Sequence, residues 1–403
     1  MKSRIYLAMI LALAFSNSFG QVLYKDKVFT QVDITSDIVY STSNGATLKL
    51  DVYQPHGDTA AMRPLLIMAH GGSFIGGTKT QDNVCTQLCD SFARRGYVTA
   101  SIDYRLGGAL DMLDSAKAID VVMKAISDGK SAIRFFRKDA ATTNAYRINP
   151  DLIFVGGNSA GSVLYMHQIY IDSLGECPTN LRTIINNNGG LEGNSGNAGY
   201  CSKSTAIMNL AGGLNVPEFV GPGNKPSFNA QGDQDATVPY NCANAQSGIT
   251  PVRLCGLGVI EGLYNQYGIN HSSIVYPGEG HVPWQSNAAE LREIDSASAD
   301  FFYALITSGA TAECDASVGI NEVAQATATV FPNPTTDVVN IRSLQLISNI
   351  LVYDQTGRLV KQMNNVNSTT YTFNTTGLSK GVYSVKVDVG TKVLAAVKRL
   401  IIE

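Results

Sequence analysis

Gly157-Asn158-Ser159-Ala160-Gly161 sets one serine between two glycines at a change of texture. The apolar run Asp151-Leu152-Ile153-Phe154-Val155 precedes it, and the helix-like stretch Ser162 to Ile169 follows. Strand, G-x-S-x-G, helix is the context of a nucleophile elbow, in which a tight turn lifts the serine hydroxyl clear of the backbone. Small residues at Gly157 and Gly161 let that turn approach its neighbours without collision. A serine nucleophile needs a base, a group that orients the base, and N–H donors for the oxyanion.

The chain has five histidines, so the base can be sought by elimination. His56 precedes the first apolar strand, His167 lies two turns along the helix after Ser159, and His271 starts a strand. His70 belongs to a glycine turn with another use. His281 remains, in Pro277-Gly278-Glu279-Gly280-His281, a Gly-rich loop after the last strand. The acid belongs between serine and histidine in chain order. Gly232-Asp233-Gln234-Asp235 offers two: Asp235 is the choice, ahead of Val238-Pro239, and Asp233 the alternative. His70-Gly71-Gly72-Ser73 supplies donors, because the N–H groups of Gly72, Ser73 and Ala160 can converge on one oxygen. This chemistry requires neither metal nor organic cofactor.

The elements that must position these groups are legible as alternating patterns. Residues 36–54 read as a hairpin around Asn44-Gly45. Buried strands are expected at Pro64–Ala69, Tyr97–Ile102, Asp151–Val155, Thr205–Leu210, Ser227–Gln231 and Ser272–Tyr276. Helical patterns lie between them; the stripe Ile119, Val122, Ile126, Ile133, Phe136 reads as packing against a sheet, with no chemistry assigned. Strands alternating with helices imply a mostly parallel sheet covered on both faces, with ligands at the C-terminal strand ends. Each candidate site residue follows a predicted strand. Asn186–Tyr200 is Gly/Asn-rich and reads as a flexible surface excursion or part of a substrate rim.

The ends of the chain differ from this middle. Met1-Lys2-Ser3-Arg4 is basic, Ile5–Phe15 apolar, and Ser18-Phe19-Gly20 offers small residues for cleavage, so residues 1–20 read as a signal peptide. No later stretch is apolar and long enough to span a membrane. Residues 21–309 form the first expected domain and 310–325 a linker of small residues. Residues 326–403, with strands such as Val338–Ile341, Ile350–Tyr353 and Tyr383–Val389 and turns at Asp354–Arg358 and Val389–Lys392, read as a small all-β sandwich. A net charge of −3 gives no reason to expect nucleic acid as a partner. Export permits disulfides among the seven cysteines. Cys242–Cys255 is the first expected pair and Cys177–Cys201 a weaker one, with at least one thiol left over.

Two resemblances follow from these motifs. His70-Gly71-Gly72-Ser73-Phe74, Asp103-Tyr104-Arg105-Leu106, Gly157–Gly161, Asp235–Pro239 and Gly280-His281 resemble an α/β-hydrolase of the carboxylesterase/lipase type, near the hormone-sensitive-lipase-like and type-B carboxylesterase groups. The resemblance implies Ser159, Asp235 and His281 as catalytic residues, an oxyanion hole of Gly72, Ser73 and Ala160, and ester substrates: small acyl esters, acylated polysaccharide or polyester. Ser73 stands where the families usually have a third glycine, and Gln231 where they have a histidine. Phe331-Pro332-Asn333-Pro334, Gly377–Tyr383 and Lys398–Glu403 resemble the C-terminal sorting domain of the type IX secretion system. That implies the type IX machinery as partner, and a secreted or cell-surface product exported across a Gram-negative outer membrane. The expectation is a secreted serine carboxylesterase. The alternatives are a serine peptidase of the prolyl-oligopeptidase type, without room upstream for a propeller, and a surface binding protein with a relict hydrolase fold.

Overall fold

The structure, a computed structural model, describes residues 21–42, 45–314, 328–389 and 394–403. The signal segment 1–20, Asn44, the greater part of the linker and the turn at 390–392 lie outside the described residues. The chain divides into two compact units, Met1–Val318 and Gly319–Glu403.

The first unit is built on an eight-stranded sheet in the order β1-β2-β4-β3-β5-β6-β7-β10. Its strands are β1 (Val32–Ser41), β2 (Leu48–Pro55), β3 (Arg63–Ala69), β4 (Val98–Ile102), β5 (Ile148–Asn158), β6 (Ala206–Leu210), β7 (Ser227–Gly232) and β10 (His271–Tyr276). β1 and β2 form the expected antiparallel hairpin, and β2 pairs antiparallel with β4. From β4 onward every pairing is parallel. The helices are α1 (Asn83–Arg94), α2 (Ser115–Ala141), α3 (Ala160–Tyr170), α4 (Thr179–Asn187), α5 (Leu257–Tyr267) and α6 (Ala288–Thr307). A small antiparallel ribbon, β8 (Cys242–Asn244) with β9 (Arg253–Cys255), lies outside the sheet. This strand order, with a nucleophile elbow after β5, is the α/β-hydrolase fold.

Continuous apolar strands form because both faces of the sheet are covered. In β3, Leu65, Ile67 and Ala69 join one core, with α2, α3 and α5, while Leu66 and Met68 join the other, with α1 and α6. β5 divides the same way: Ile153 and Val155 to the first, Phe154 to the second. Alternation persists in strands that look uniformly apolar, because the period-2 pleat points successive side chains to opposite cores. Among the described residues no helix is long and apolar enough to cross a membrane.

The loop at Asn186–Tyr200 departs from the expected flexible excursion. Its polar backbone is held by cations of α2: Lys130 Nζ donates to the Leu191 carbonyl, Arg134 Nε to that of Gly196, and Arg134 also pairs with Glu192. Ser195 is buried against Ser127 and Asp128 and accepts from Arg105 Nη2 at 2.7 Å. A Gly/Asn-rich segment becomes ordered here because α2 brings it the donors its carbonyls need, a long-range supply with no local signature.

Cys242–Cys255 is bonded as expected and staples the β8–β9 ribbon. The Cys177–Cys201 pairing is corrected: Cys201 bonds Cys314, and Cys177 is a buried free thiol beside the Ser173 carbonyl. The chain after α6 runs back to β5, where Ala312 N donates to the Asp151 carbonyl at 2.9 Å, and that brings Cys314 to Cys201.

The second unit is antiparallel. β12 (Val338–Tyr353) is long and pairs with β11 (Ala328–Phe331), β13 (Leu359–Asn374) and β14 (Gly381–Val389), with β15 (Leu394–Ile402) beyond β14. Its register shifts between Arg342 and Asn349, which lets one strand serve both halves of the sandwich. Val339, Ile341, Ile350, Val352, Val385 and Leu400 fill its core.

The two disulfides close spans of very different length, 113 and 13 residues. Chain entropy assigns about 4.7 kcal/mol to a 100-residue loop and about 3 kcal/mol to a 15-residue one. Cys314→Ser is therefore expected to lower the thermal midpoint of the first unit more than Cys255→Ser does, measured by calorimetry on the folded variants. An equal or smaller loss from Cys314→Ser contradicts this.

Candidate active site

The site lies at the C-terminal ends of β3, β5, β7 and β10. At the end of β5, Ser159 is held at φ 54° and ψ −115°. Such a conformation costs a non-glycine residue of order 1–3 kcal/mol and persists only where its surroundings over-determine it. Here Ser159 N donates to the Leu210 carbonyl at 2.8 Å, and the next residues enter α3 directly. The glycines permit this. A Cβ on Gly161 would overlap the Ala69 carbonyl of β3, and one on Gly157 would overlap the backbone at Gly161–Ser162.

Ser159 Oγ donates to His281 Nε2 at 2.7 Å, and His281 Nδ1 donates to Asp235 Oδ2 at 2.7 Å. Asp235 is buried, and its other oxygen accepts from the N–H groups of Thr237 at 2.9 Å and Val238 at 3.1 Å. Gln231 Nε2 adds a fourth hydrogen bond at 3.2 Å, while its amide oxygen accepts from Leu257 N. The glutamine thus braces the Asp235 carboxylate. Asp233 does different work. Its carboxylate accepts from Gly278 N at 2.8 Å, and Gln234 N donates to the Glu279 carbonyl at 2.9 Å, so the two residues before Asp235 fix the loop that carries His281.

The other histidines are engaged elsewhere. His56 meets Asp33, and His271 Nδ1 donates to the Ile269 carbonyl. His167 is buried between the Val163 carbonyl and Asn215, and burial pushes its pKa down. His70 stacks on Tyr104 with ring centroids 4.3 Å apart, and Tyr104 Oη donates to the His70 carbonyl at 2.8 Å. Burial also lowers the pKa of His70, so it sits neutral beneath the loop it opens.

That loop turns sharply. Gly72 has φ 117°, and a Cβ there would strike the Gly76 carbonyl. Ser73 and Phe74 are also left-handed, at 55° and 61°. The Gly72 carbonyl accepts from Ile75 N and Gly76 N. Among the described residues, the N–H groups of Gly72, Ser73 and Ala160 have no acceptor.

One residue absent from the sequence-based set ties three of these loops together. Asp82 caps α1 by accepting from Val84 N and Cys85 N through Oδ1. Its Oδ2 accepts from Gly71 N at 2.8 Å and from Asn158 Nδ2 at 3.1 Å. Asn158 in turn accepts from Trp284 Nε1 at 3.1 Å, and Trp284 is buried three residues after His281. An aspartate before a helix announces an N-cap; nothing in its spacing announces the glycine loop or the elbow.

Ser159 stands between two spaces. A cavity of about 80 Å³ lies to one side, walled by Met112, Ile119 and Val122, by Val163 of α3, and by Val252 and Leu254 of the stapled ribbon. Part of the α2 stripe read as plain packing therefore faces this cavity. On the other side is an open cleft of about 340 Å³ with Gln81, Thr237, His281 and Gln285 along it.

Residues 50–168 match the family model BD-FAE, and residues 329–403 match the secretion system C-terminal sorting domain. No curated protein matches the chain. Among solved structures, the chain is similar to Thermogutta terrifontis esterase 2 phosphorylated by paraoxon, with 20% identity, a TM-score of 0.48, and coverage of 71% of this chain and 97% of that one. The propionate-bound form of that esterase gives 20% identity and a TM-score of 0.48 over 70% of this chain and 97% of that one. The sorting domain marks the protein for type IX secretion and export across a Gram-negative outer membrane. Residues 50–168 thus carry the BD-FAE signature within the α/β-hydrolase fold of the first unit, and residues 329–403 that of a secretion system C-terminal sorting domain.

Proposed function

We propose that the protein is a serine carboxylesterase working through an acyl-enzyme on Ser159. The observation that carries this is the unbroken chain from Ser159 Oγ through His281 to buried Asp235, at 2.7 Å for each link. His281 Nε2 takes the Ser159 proton as Oγ attacks the ester carbonyl. Asp235 keeps the proton of His281 on Nδ1 and stabilises the imidazolium as it forms. The tetrahedral oxyanion is received by the free N–H groups of Gly72, Ser73 and Ala160, preorganised donors of the kind worth about 3 kcal/mol each in the transition state. The alcohol leaves with the proton from His281. Water then attacks the acyl carbon with His281 as base, and the acid is released.

The two spaces beside Ser159 divide the substrate. The acyl group enters the apolar cavity, where burial favours an uncharged hydrocarbon chain. The alcohol occupies the open cleft, whose glutamines and threonine suit a hydroxyl-rich or otherwise polar leaving group. Esters of a short acyl group on a polar alcohol are the class this fits, and a secreted enzyme meets them on extracellular polymers.

Ser159→Ala is expected to abolish hydrolysis of p-nitrophenyl butyrate while leaving the circular dichroism spectrum and thermal midpoint close to wild type; retained turnover contradicts the assignment. Asp235→Asn is expected to lower kcat by about 10⁴, the loss that follows when the imidazole tautomer is no longer held. Asp233→Asn keeps its hydrogen bond to Gly278 through the amide oxygen and is expected to stay within about tenfold of wild type. Equal losses in the two variants would unseat Asp235 as the acid. Asp82→Asn replaces one acceptor oxygen with a donor facing N–H groups. Its expected effect is a fall in kcat of about tenfold, less than the 10²–10³ for loss of an oxyanion donor, with little change in KM. A change confined to KM would assign Asp82 to substrate binding instead.

A further inference from the structure

Behind the apolar cavity lies a second, smaller one of about 20 Å³, under α4 and the loop that follows it. Met123 and His167 line both spaces, so these two side chains are the wall between them. The two halves of the wall differ in freedom. His167 is fixed at both ring nitrogens, Nδ1 on the Val163 carbonyl at 2.8 Å and Nε2 against Asn215 at 2.9 Å. Met123 is held by packing alone, and methionine is unbranched with three rotatable bonds, the side chain most able to change shape within a core.

The smaller cavity is mainly apolar, although polar residues border it. Ser127 Oγ is taken by the backbone of Asn194 and the side chain of Ser195. Lys130 Nζ donates to the Leu191 carbonyl, and Asn188 Nδ2 to Asp120 and the Ile184 carbonyl. Ile126, Ile171, Ile185 and Leu191 supply apolar surface for an occupant. A space of that lining favours methylene groups over a charge.

We propose that Met123 sets the acyl-length limit of the enzyme, by closing off a hydrocarbon extension of the acyl cavity. This rests on the serine-esterase reading and deepens it to a substrate class: linear, uncharged acyl chains. The second space, of about 20 Å³, is a quarter the size of the first, of about 80 Å³, so what lies in front of the wall limits the chain. The closed wall therefore selects short acyl groups. Opening it joins the two cavities and adds the volume of the Met123 side chain.

The test is the ratio of kcat/KM for p-nitrophenyl octanoate to that for p-nitrophenyl butyrate. Rates are expressed per active site titrated with a fluorophosphonate, so that loss of folded enzyme does not distort them. Met123→Ala is expected to raise the ratio at least tenfold, since each further methylene buried is worth about fourfold. Met123→Phe, which thickens the wall, is expected to lower it, and Met123→Leu, which conserves volume, to leave it within about twofold. A ratio that is the same in Met123→Ala, Met123→Phe and wild type overturns the proposal, while titration of Ser159 in those proteins keeps the serine-esterase reading standing. If wild type hydrolyses the butyrate ester yet shows no titratable Ser159, the underlying reading fails, and the proposal with it.

Discussion

The geometry of this site depends on how closely the backbone of the elbow approaches the backbone of β3. Gly161 rests on the carbonyl of Ala69, at the very point where β3 ends and the glycine loop begins. No side chain fits between them. That contact sets the height of Ser159 above the sheet and its distance from the Gly72–Ser73 donors at once. A methyl group at Gly161 would push α3 away from β3, and Ser159 would move apart from the N–H groups of Gly72 and Ser73. The strain stored at Ser159, with φ 54°, is tolerable because the hydrogen bond to Leu210 and the start of α3 hold it on either side.

Around that contact the loops of the proposed active site are coupled by polar side chains rather than by packing. Asp82 joins the glycine loop to the elbow, and Asn158 passes the link to Trp284 beside the His281 loop. On the far side, Gln231 and Asp233 join the Asp235 loop to its surroundings and to the His281 loop. Each of these groups has its hydrogen-bonding capacity largely used, and satisfied buried polar networks specify a single arrangement where apolar contacts tolerate several. Three loops from distant parts of the chain can therefore present Ser159, His281 and the N–H donors in one geometry before substrate arrives, which is what electrostatic preorganisation requires.

The sequence is most informative where chemistry and local geometry coincide. That Ser159 and His281 come together was legible because an elbow needs glycines on both sides and few histidines compete for its partner. The parallel sheet was legible because strands such as Leu65–Ala69 are apolar without interruption. What stayed hidden depends on partners far away in the chain. Asp82 looks like any helix cap until β3 and β5 bring Gly71 and Asn158 to it. Cys314 finds Cys201 only because the chain after α6 folds back on β5, so adjacency in sequence misdirects the pairing toward Cys177. The loop at 186–200 has the composition of a mobile segment, but Arg105, Lys130 and Arg134 supply what it lacks. Ile119 and Val122 show the same helical period whether they face a sheet or a cavity, and only the fold decides.

The central claim is that Ser159 becomes acylated. The most direct measurement is intact-protein mass spectrometry after treatment with a fluorophosphonate, followed by peptide mapping of the adduct. The account predicts one adduct per chain, on Ser159, and none in His281→Ala within the same exposure, because the hydroxyl is then without its base. An adduct on another residue, or unmodified Ser159 in an enzyme that still hydrolyses esters, would contradict it.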